Sequence, residues 1–203
     1  MSIGDAEIKT QERVIRFFKD PEILGYQYIG NLSDYQNKNI KEDRLRQYLR
    51  LKGYADKLID AAVMQLQQEA GNLSRGVYDA NKTVYSRLKY GIPVSESPEK
   101  PPVTVELIDE ANPLNNDFAI AEEVTVVEQQ EKRPDLVIYL NGIAVAVIEL
   151  KRSSISVSEG IRQNLTNQKD SFIRGFFTTM QFCMAGNESE GLRYGTLLTG
   201  EKF

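Results

Sequence analysis

The chain has 203 residues, of which 41% are hydrophobic and 27% are charged, a balance typical of a globular protein and not of a disordered one. It contains no histidine and a single cysteine, Cys183. These counts exclude Ser-His-Asp and Cys-His catalytic triads, histidine-ligated zinc and metal sites built from several cysteines. The formal net charge of −4 also differs from that of a basic nucleic-acid-binding protein. Any chemistry must therefore depend on carboxylates, lysine, amides and hydroxyls.

No stretch of the sequence approaches the roughly 20 consecutive apolar residues that cross a bilayer. The first eleven residues are polar and contain no hydrophobic signal core, so we expect a cytoplasmic protein that does not bind membranes. The chain stops just after a strand-like segment, without a closing helix, which suggests a fragment of a longer chain.

The first half of the chain is predicted to be helical. Apolar residues recur at helical spacing in four segments, each followed by proline or glycine, at 10–19, 41–51, 55–70 and 79–90. The aromatic run 26–30 predicts a short edge strand. The proline-rich segment 93–102 is the expected hinge between this helical part, residues 1–95, and a sheet core, residues 96–203. Together the two parts are predicted to form one domain over 1–203.

Beyond the hinge the hydrophobic period changes from 3.6 to 2, which predicts strands at 103–107 and 119–127. Asn141-Gly142 then separates two apolar arms, a pattern typical of a hairpin, and such arms should lie at the centre of a sheet. The last three predicted elements are a serine-capped helix at 158–171 and strands at 178–185 and 192–198. This order indicates an α/β protein with a central mixed sheet flanked by helices and a helix-rich N-terminal half.

Charged side chains lie at one end of the apolar hairpin. Asp135 precedes the first arm, and Glu149, Leu150 and Lys151 end the second, where Glu149 and Lys151 share a face of the strand. Neighbouring buried carboxylates repel each other unless a cation lies between them, and Mg²⁺ prefers oxygen ligands. We therefore expect Asp135, Glu149 and the Leu150 carbonyl to bind Mg²⁺. Lys151 would orient the attacking water or stabilise charge on a phosphate.

The pairing register decides whether this site can form. A two-residue turn at 141–142 with regular pairing would set Asp135 opposite Ile148, and Asp135 and Glu149 would then point to opposite faces. The predicted site therefore requires a longer loop or a β-bulge in the hairpin. A regular hairpin would exclude it.

The pattern Pro134-Asp135 followed by Glu149-x-Lys151 is similar to that of the PD-(D/E)xK nuclease superfamily. In its wider context, 133–151 resembles the N-terminal region of type I restriction enzyme R subunits. The same resemblance extends to Gln163-Asn164, Phe176-Phe177, Asn187 and 191–196. It implies a restriction-endonuclease-like fold, with Asp135, Glu149 and Lys151 as catalytic residues of a Mg²⁺-dependent endonuclease that cleaves double-stranded DNA.

That resemblance also implies partners, namely the methylation and specificity subunits of a restriction complex and a translocase that uses ATP. The chain contains no GxxxxGK[ST] phosphate loop, so ATP would be used by the translocase and not bound by this segment. Two alternatives stay open. The chain could be a stand-alone repair or junction-resolving nuclease of the same superfamily, or a non-catalytic docking domain in which the charged residues form a structural ion-pair cluster.

Further residues are candidates for the site. Glu12 lies on the first predicted helix, where related nucleases often place a carboxylate near the metal; its alternative is a solvated glutamate favoured by the helix dipole. The family's Gln-x-x-x-Tyr motif has its nearest counterpart in Gln168 and Phe172, which keeps the ring but lacks the hydroxyl. Asp117, Glu122 and Glu123, on the strand before the hairpin, could supply another ligand, or be exposed strand charges.

Overall fold

The computed structural model describes residues 3–200, with side chains from residue 8 onward. Within that range the α-helices are Ile3–Lys19 (α1), Glu42–Leu51 (α2), Asp56–Gly71 (α3), Val77–Tyr90 (α4) and Val157–Asn167 (α5). The strands are Gln27–Asn31 (β1), Ile92–Val94 (β2), Val103–Val105 (β3), Phe118–Glu122 (β4), Val126–Val127 (β5), Glu131–Lys132 (β6), Leu136–Leu140 (β7), Ile143–Leu150 (β8), Phe182–Asn187 (β9) and Gly191–Gly195 (β10). Short 3-10 helices cover Pro113–Asn115 and Arg174–Thr179.

Six strands form a central mixed sheet in the order β1-β4-β7-β8-β9-β10. The pairs β1–β4 and β8–β9 are parallel, and the other three pairs are antiparallel. The β7–β8 hairpin occupies the middle of this sheet because both of its arms are apolar, as the sequence predicted. Two small sheets, β2–β3 and β5–β6, lie outside it. The predicted class, a central mixed sheet flanked by helices, is confirmed.

Apolar layers cover both faces of the sheet. On one face, Ile15 of α1 packs with Ile120, Leu136, Ile138, Ala146, Ile148 and Leu150. On the other face, Phe176 and Phe177 of the second 3-10 helix pack with Ala121, Val137, Tyr139, Ala144 and Val147. Helices α2, α3 and α4 form a third core with β2 and β3, and this core contacts the hairpin at Ile143. The hairpin is therefore held rigidly from both sides.

A two-residue turn closes the central hairpin. Asn141 and Gly142 have φ values of 51° and 82°, as a type I′ turn requires at its two central residues. The Asn141 side chain is buried, accepts a hydrogen bond from the Asp117 N–H at 2.7 Å and donates one to the Leu107 carbonyl at 2.8 Å. A Cβ atom at Gly142 would lie 2.7 Å from the Lys41 carbonyl oxygen, so the turn packs closely on the start of α2.

The hairpin contains a β-bulge, one of the two irregularities that the predicted site required. Tyr139 pairs with Ala144, but its neighbour Ile138 pairs with Ala146, so Val145 is skipped in the pairing. An extra residue on one strand shifts every later pair by one position and reverses which face each side chain occupies. The regular hairpin that would have excluded the predicted site is therefore not what the chain forms.

Two of the predicted strands have other bounds in the structure. The strand expected at 119–127 ends at Glu122, because Glu123 has a φ of 51° that leaves the extended conformation. The strand expected at 178–185 starts only at Phe182. Thr178 and Thr179 instead end the 3-10 helix Arg174–Thr179. The Thr178 hydroxyl donates to the Gly175 carbonyl, and the Thr179 hydroxyl donates to the Ala144 carbonyl of β8.

The proline-rich hinge and the predicted helical part also take another form. Ile92–Val94 pairs with Val103–Val105, so 93–102 includes a strand and the connection of a two-stranded sheet. The central sheet draws on both parts of the chain, because β1 lies within 1–95 and pairs with β4. This pairing joins segments about ninety residues apart, which no local pattern could reveal.

Candidate active site

Three carboxylates meet at one end of the central strands of the sheet. Leu136 pairs with Ile148, and the same register sets Asp135 opposite Glu149 on one face. Glu123 follows β4 at this end of the strands, and its N–H donates to the Asp135 carbonyl at 2.8 Å. The structure therefore brings together the two carboxylates that the sequence predicted and adds Glu123 beside them.

Asp135 is fixed by a contact across the strand pair. Its Oδ2 accepts a hydrogen bond from the Leu150 N–H at 2.6 Å, which joins the start of β7 to the end of β8. Asp135 is half-buried and Leu150 is buried. The role of the Leu150 carbonyl as a metal ligand stays a prediction.

Glu149 is the most deeply buried charged group of the site, with a relative exposure of 0%. Burial raises the pKa of its carboxyl well above the ordinary value, and the negative charge of Asp135 raises it further. The nearby positive charge of Lys151 acts in the opposite direction, and Glu123 adds a smaller increase. Both Lys151 and Asp135 therefore lie close enough to interact with Glu149, as predicted.

The two oxygens of Glu149 differ in their partners. Oε2 accepts a hydrogen bond from Gln163 Nε2 at 2.7 Å, whereas Oε1 is buried and receives no hydrogen bond from the part of the chain that the structure describes. A buried acceptor without a donor is rare in a folded protein and points to a missing ligand or water. An oxygen beside a second carboxylate is suited to a cation.

Helix α5 positions Gln163. Its N-terminus is capped by Ser156, whose hydroxyl accepts the Ser158 N–H at 3.3 Å, which confirms the predicted serine cap. Gly160 lies one turn before Gln163, and a Cβ atom there would lie 2.9 Å from the Ala185 Cβ. The absent side chain therefore lets α5 approach the sheet until Gln163 reaches the end of β8.

Sequence reasoning did not identify Gln163 as a site residue, although a signal was present. Gly160 and Gln163 are three residues apart and thus share one face of the helix. A glycine inside a helix indicates close packing, and an amide on the same face points toward whatever the helix packs on.

Gln168, which the sequence analysis matched to the glutamine of the family's Gln-x-x-x-Tyr motif, does not share the contacts of Gln163. It is buried at the C-terminal end of α5, and its Oε1 accepts the Leu198 N–H at 2.8 Å. Its Nε2 lies 3.7 Å from Cys183 Sγ. Gln168 therefore anchors the segment that follows β10, whereas Gln163 contacts Glu149.

Glu12 is exposed on α1, and its neighbour contributes to the site instead. The buried Gln11 donates through Nε2 to Glu122 Oε2 at 2.9 Å and to Glu123 Oε1 at 3.2 Å. Glu122 also accepts a hydrogen bond from the Tyr28 hydroxyl at 2.5 Å. The contribution of α1 to the rim of the site is thus an amide and not a carboxylate.

The donor set fits a hard divalent cation. Among residues 3–200, no group of three or more Asp, Glu, His or Cys side chains is arranged to hold a metal ion. Mg²⁺, however, commonly uses one or two carboxylates and completes its coordination with water and substrate oxygens. Asp135 and the buried Oε1 of Glu149 meet that requirement.

The described helices include none that is long and apolar enough to cross a membrane.

The comparisons with known proteins agree on one family. The family described as the type I restriction enzyme R protein N terminus matches residues 7–203. The type I restriction enzyme MjaIXP endonuclease subunit of Methanocaldococcus jannaschii is 33% identical over 97 residues, which cover 44% of this chain and 9% of that protein.

A second relative is the type I restriction enzyme SsaAORF53P endonuclease subunit of Staphylococcus saprophyticus, 29% identical over 85 residues, or 42% of this chain. The matched stretch spans only 9% of the length of each relative. With nearly the whole sequence matched by the family, this chain belongs to the N-terminal region of type I restriction enzyme R proteins.

Proposed function

We propose that the chain is the Mg²⁺-dependent endonuclease domain of a type I restriction R subunit and that it hydrolyses DNA phosphodiester bonds. The observation that carries the proposal is the pair of carboxylates at the end of the hairpin. The bulge at Val145 sets Asp135 opposite Glu149, and the buried Oε1 of Glu149 has no hydrogen-bond donor among residues 3–200. The names of the two relatives, both endonuclease subunits, support the same activity.

In this proposal Asp135 and Glu149 hold the cation. When bound, Mg²⁺ supplies positive charge at the phosphate and lowers the pKa of a water molecule. Gln163 holds Glu149 Oε2, so that Oε1 keeps one orientation. The Leu150 N–H does the same for Asp135. Lys151 follows Glu149 on the same face and donates hydrogen bonds to a phosphate oxygen, where its charge stabilises the developing negative charge.

We further propose that double-stranded DNA is brought to this site by a larger assembly in the cytoplasm. Its other parts would be methylation and specificity subunits and an ATP-consuming translocase outside this segment. The support is that both relatives are named subunits and are much longer than the matched stretch. A separate source of DNA affinity is consistent with the chain's net charge of −4.

The test is cleavage of duplex DNA with Mg²⁺ by the full-length protein in its complex. Asp135→Asn, Glu149→Gln and Lys151→Gln should each reduce the rate at least ~100-fold, because each removes charge from the reacting centre. Glu106→Gln is the control, since Glu106 is exposed and remote in sequence. If all three variants fold and cleave like the wild type, the domain is a docking module and the proposal fails.

A further inference from the structure

An arginine side chain lies at the mouth of the candidate site and has no role in the chemistry proposed above. Arg133 comes two residues before Asp135, and its Nε lies 2.7 Å from Glu123 Oε2. The side chain is 57% exposed. Because the Glu123 N–H donates to the Asp135 carbonyl, this ion pair is connected directly to the end of the strands where the proposed metal ligands lie.

We propose that Arg133 binds a DNA backbone phosphate next to the one that is cleaved, and that Glu123 holds its guanidinium in place until DNA arrives. The inference rests on the proposed nuclease function and extends it to how the substrate is held. It assigns Glu123 as a positioning residue and not as a metal ligand.

The charge balance of the site gives Arg133 this role. Asp135, Glu149 and Glu123 place three carboxylates where a polyanion must approach. Lys151 is close to Glu149 and serves the reacting phosphate. A second cation at the mouth offsets the remaining repulsion, and Arg133 is joined to this end of the strands by its ion pair with Glu123.

The chemistry of the guanidinium suits a phosphate. Arginine has five N–H donors in a planar fork, which matches the oxygens of a phosphate in a bidentate manner. The ion pair with Glu123 engages the Nε end of Arg133. Glu123 is itself held by Gln11 and by its own backbone N–H, so it can keep its place when the guanidinium turns toward DNA.

The experiment measures Mg²⁺-dependent cleavage of duplex DNA by the full-length protein in its complex as a function of DNA and NaCl concentration. For Arg133→Gln we expect KM to rise about tenfold with kcat changed less than threefold, as for one lost phosphate contact. The slope of log(kcat/KM) against log[NaCl] should flatten by about 0.9, the value for one phosphate. Arg133→Lys, which keeps the charge, should retain the wild-type slope.

Arg50→Gln is the matched control, because Arg50 is also 57% exposed and forms one ion pair, with Asp56, at 3.0 Å. It should leave KM and the salt slope unchanged. Isothermal titration of Mg²⁺ should give the same affinity for Arg133→Gln as for the wild type, which separates phosphate binding from damage to the metal site.

The inference is overturned if Arg133→Gln cleaves DNA with the wild-type KM and salt slope, or if Arg133→Lys folds normally and still loses the slope. Absence of cleavage by the wild-type complex would instead contradict the nuclease proposal itself. The two failures are therefore distinguishable.

Discussion

Asp135 lies opposite Glu149 across the β7–β8 hairpin, although a two-residue turn closes that hairpin. Simple counting from the turn would place these carboxylates on opposite faces, and the extra residue Val145 brings them to the same one. The site therefore depends on a backbone irregularity at Val145, which lies four residues before Glu149 in the chain. This dependence can be tested directly.

Deletion of Val145 should abolish the Mg²⁺ response of the protein. Without the bulge, the regular register turns Glu149 away from Asp135 and reverses the faces of the remaining part of β8. The measurement is the melting temperature with and without Mg²⁺. Val145→Ala is the control, because it keeps the chain length and should keep the Mg²⁺-induced increase. A folded deletion variant that still responds to Mg²⁺ would contradict the assigned register.

Glu149→Gln should make the metal-free protein more stable and insensitive to Mg²⁺. The amide removes a buried charge beside Asp135, so we expect the free energy of unfolding to rise by about 1 kcal/mol, or about 3 °C in Tm. In the wild type, Mg²⁺ at about 100 times its Kd should stabilise by about 2.7 kcal/mol. Thermal unfolding followed by circular dichroism measures both effects, and equal Mg²⁺ stabilisation in the variant would refute the ligand assignment.

Gln163→Ala should weaken Mg²⁺ binding without unfolding the protein. The hydrogen bond from Gln163 orients Glu149, and loss of such an outer partner typically reduces metal affinity about 10- to 100-fold. Isothermal titration gives the Kd. Gln47→Ala, at an exposed position of α2, is the control and should not change it. An unchanged Kd in Gln163→Ala would mean that the amide only fills space.

Gly160→Ala should destabilise the protein by about 1–3 kcal/mol, since its Cβ would overlap the Ala185 Cβ at 2.9 Å and push α5 from the sheet. The matched control is Gly71→Ala at the end of α3, where a Cβ meets nothing within 4 Å. There the substitution should be neutral or stabilise by up to about 1 kcal/mol. Urea unfolding compares the two. Similar effects at both positions would contradict the close approach of α5.

Asp109 provides a prediction for acid stability. Its carboxylate accepts hydrogen bonds from Lys52, the Asn112 N–H and Asn115, which lower its pKa from 3.8 to about 2. A lowered folded-state pKa gives stability that is complete above the unfolded value and is lost as the pH falls toward 2. Asp109→Asn should thus be less stable than the wild type at pH 6, and the difference should shrink between pH 4 and 2. A constant difference would show that charge plays no part.

Local patterns in the sequence were sufficient for most of the architecture. The apolar arms around Asn141-Gly142 predicted the central hairpin, and the requirement that two carboxylates share a face predicted either a longer loop or a bulge within it. The position of the bulge at Val145 was not predictable, because Ile143–Leu150 is apolar at nearly every position and offers no alternation to reveal a skipped residue.

The side chains that support the site were harder to predict than its carboxylates. Glu12 and Gln11 are adjacent, and only the packing of α1 on the sheet decides which of them turns inward. Gln163 lies on α5 and Gln168 directly follows the last residue of that helix, and the contact of Gly160 with β9 places the first of them at the site. Such choices are made by tertiary packing, which a single sequence does not display.

The skipped residue in β8 also affects how this segment can change. Between 136 and 148 many apolar exchanges of similar volume leave the sheet intact, because packing tolerates them. Adding or removing one residue there would instead transfer every later side chain to the other layer and separate the acids. The number of residues in this segment is therefore constrained more strictly than their identity. Variants with one residue added or removed should lose cleavage before they lose their fold.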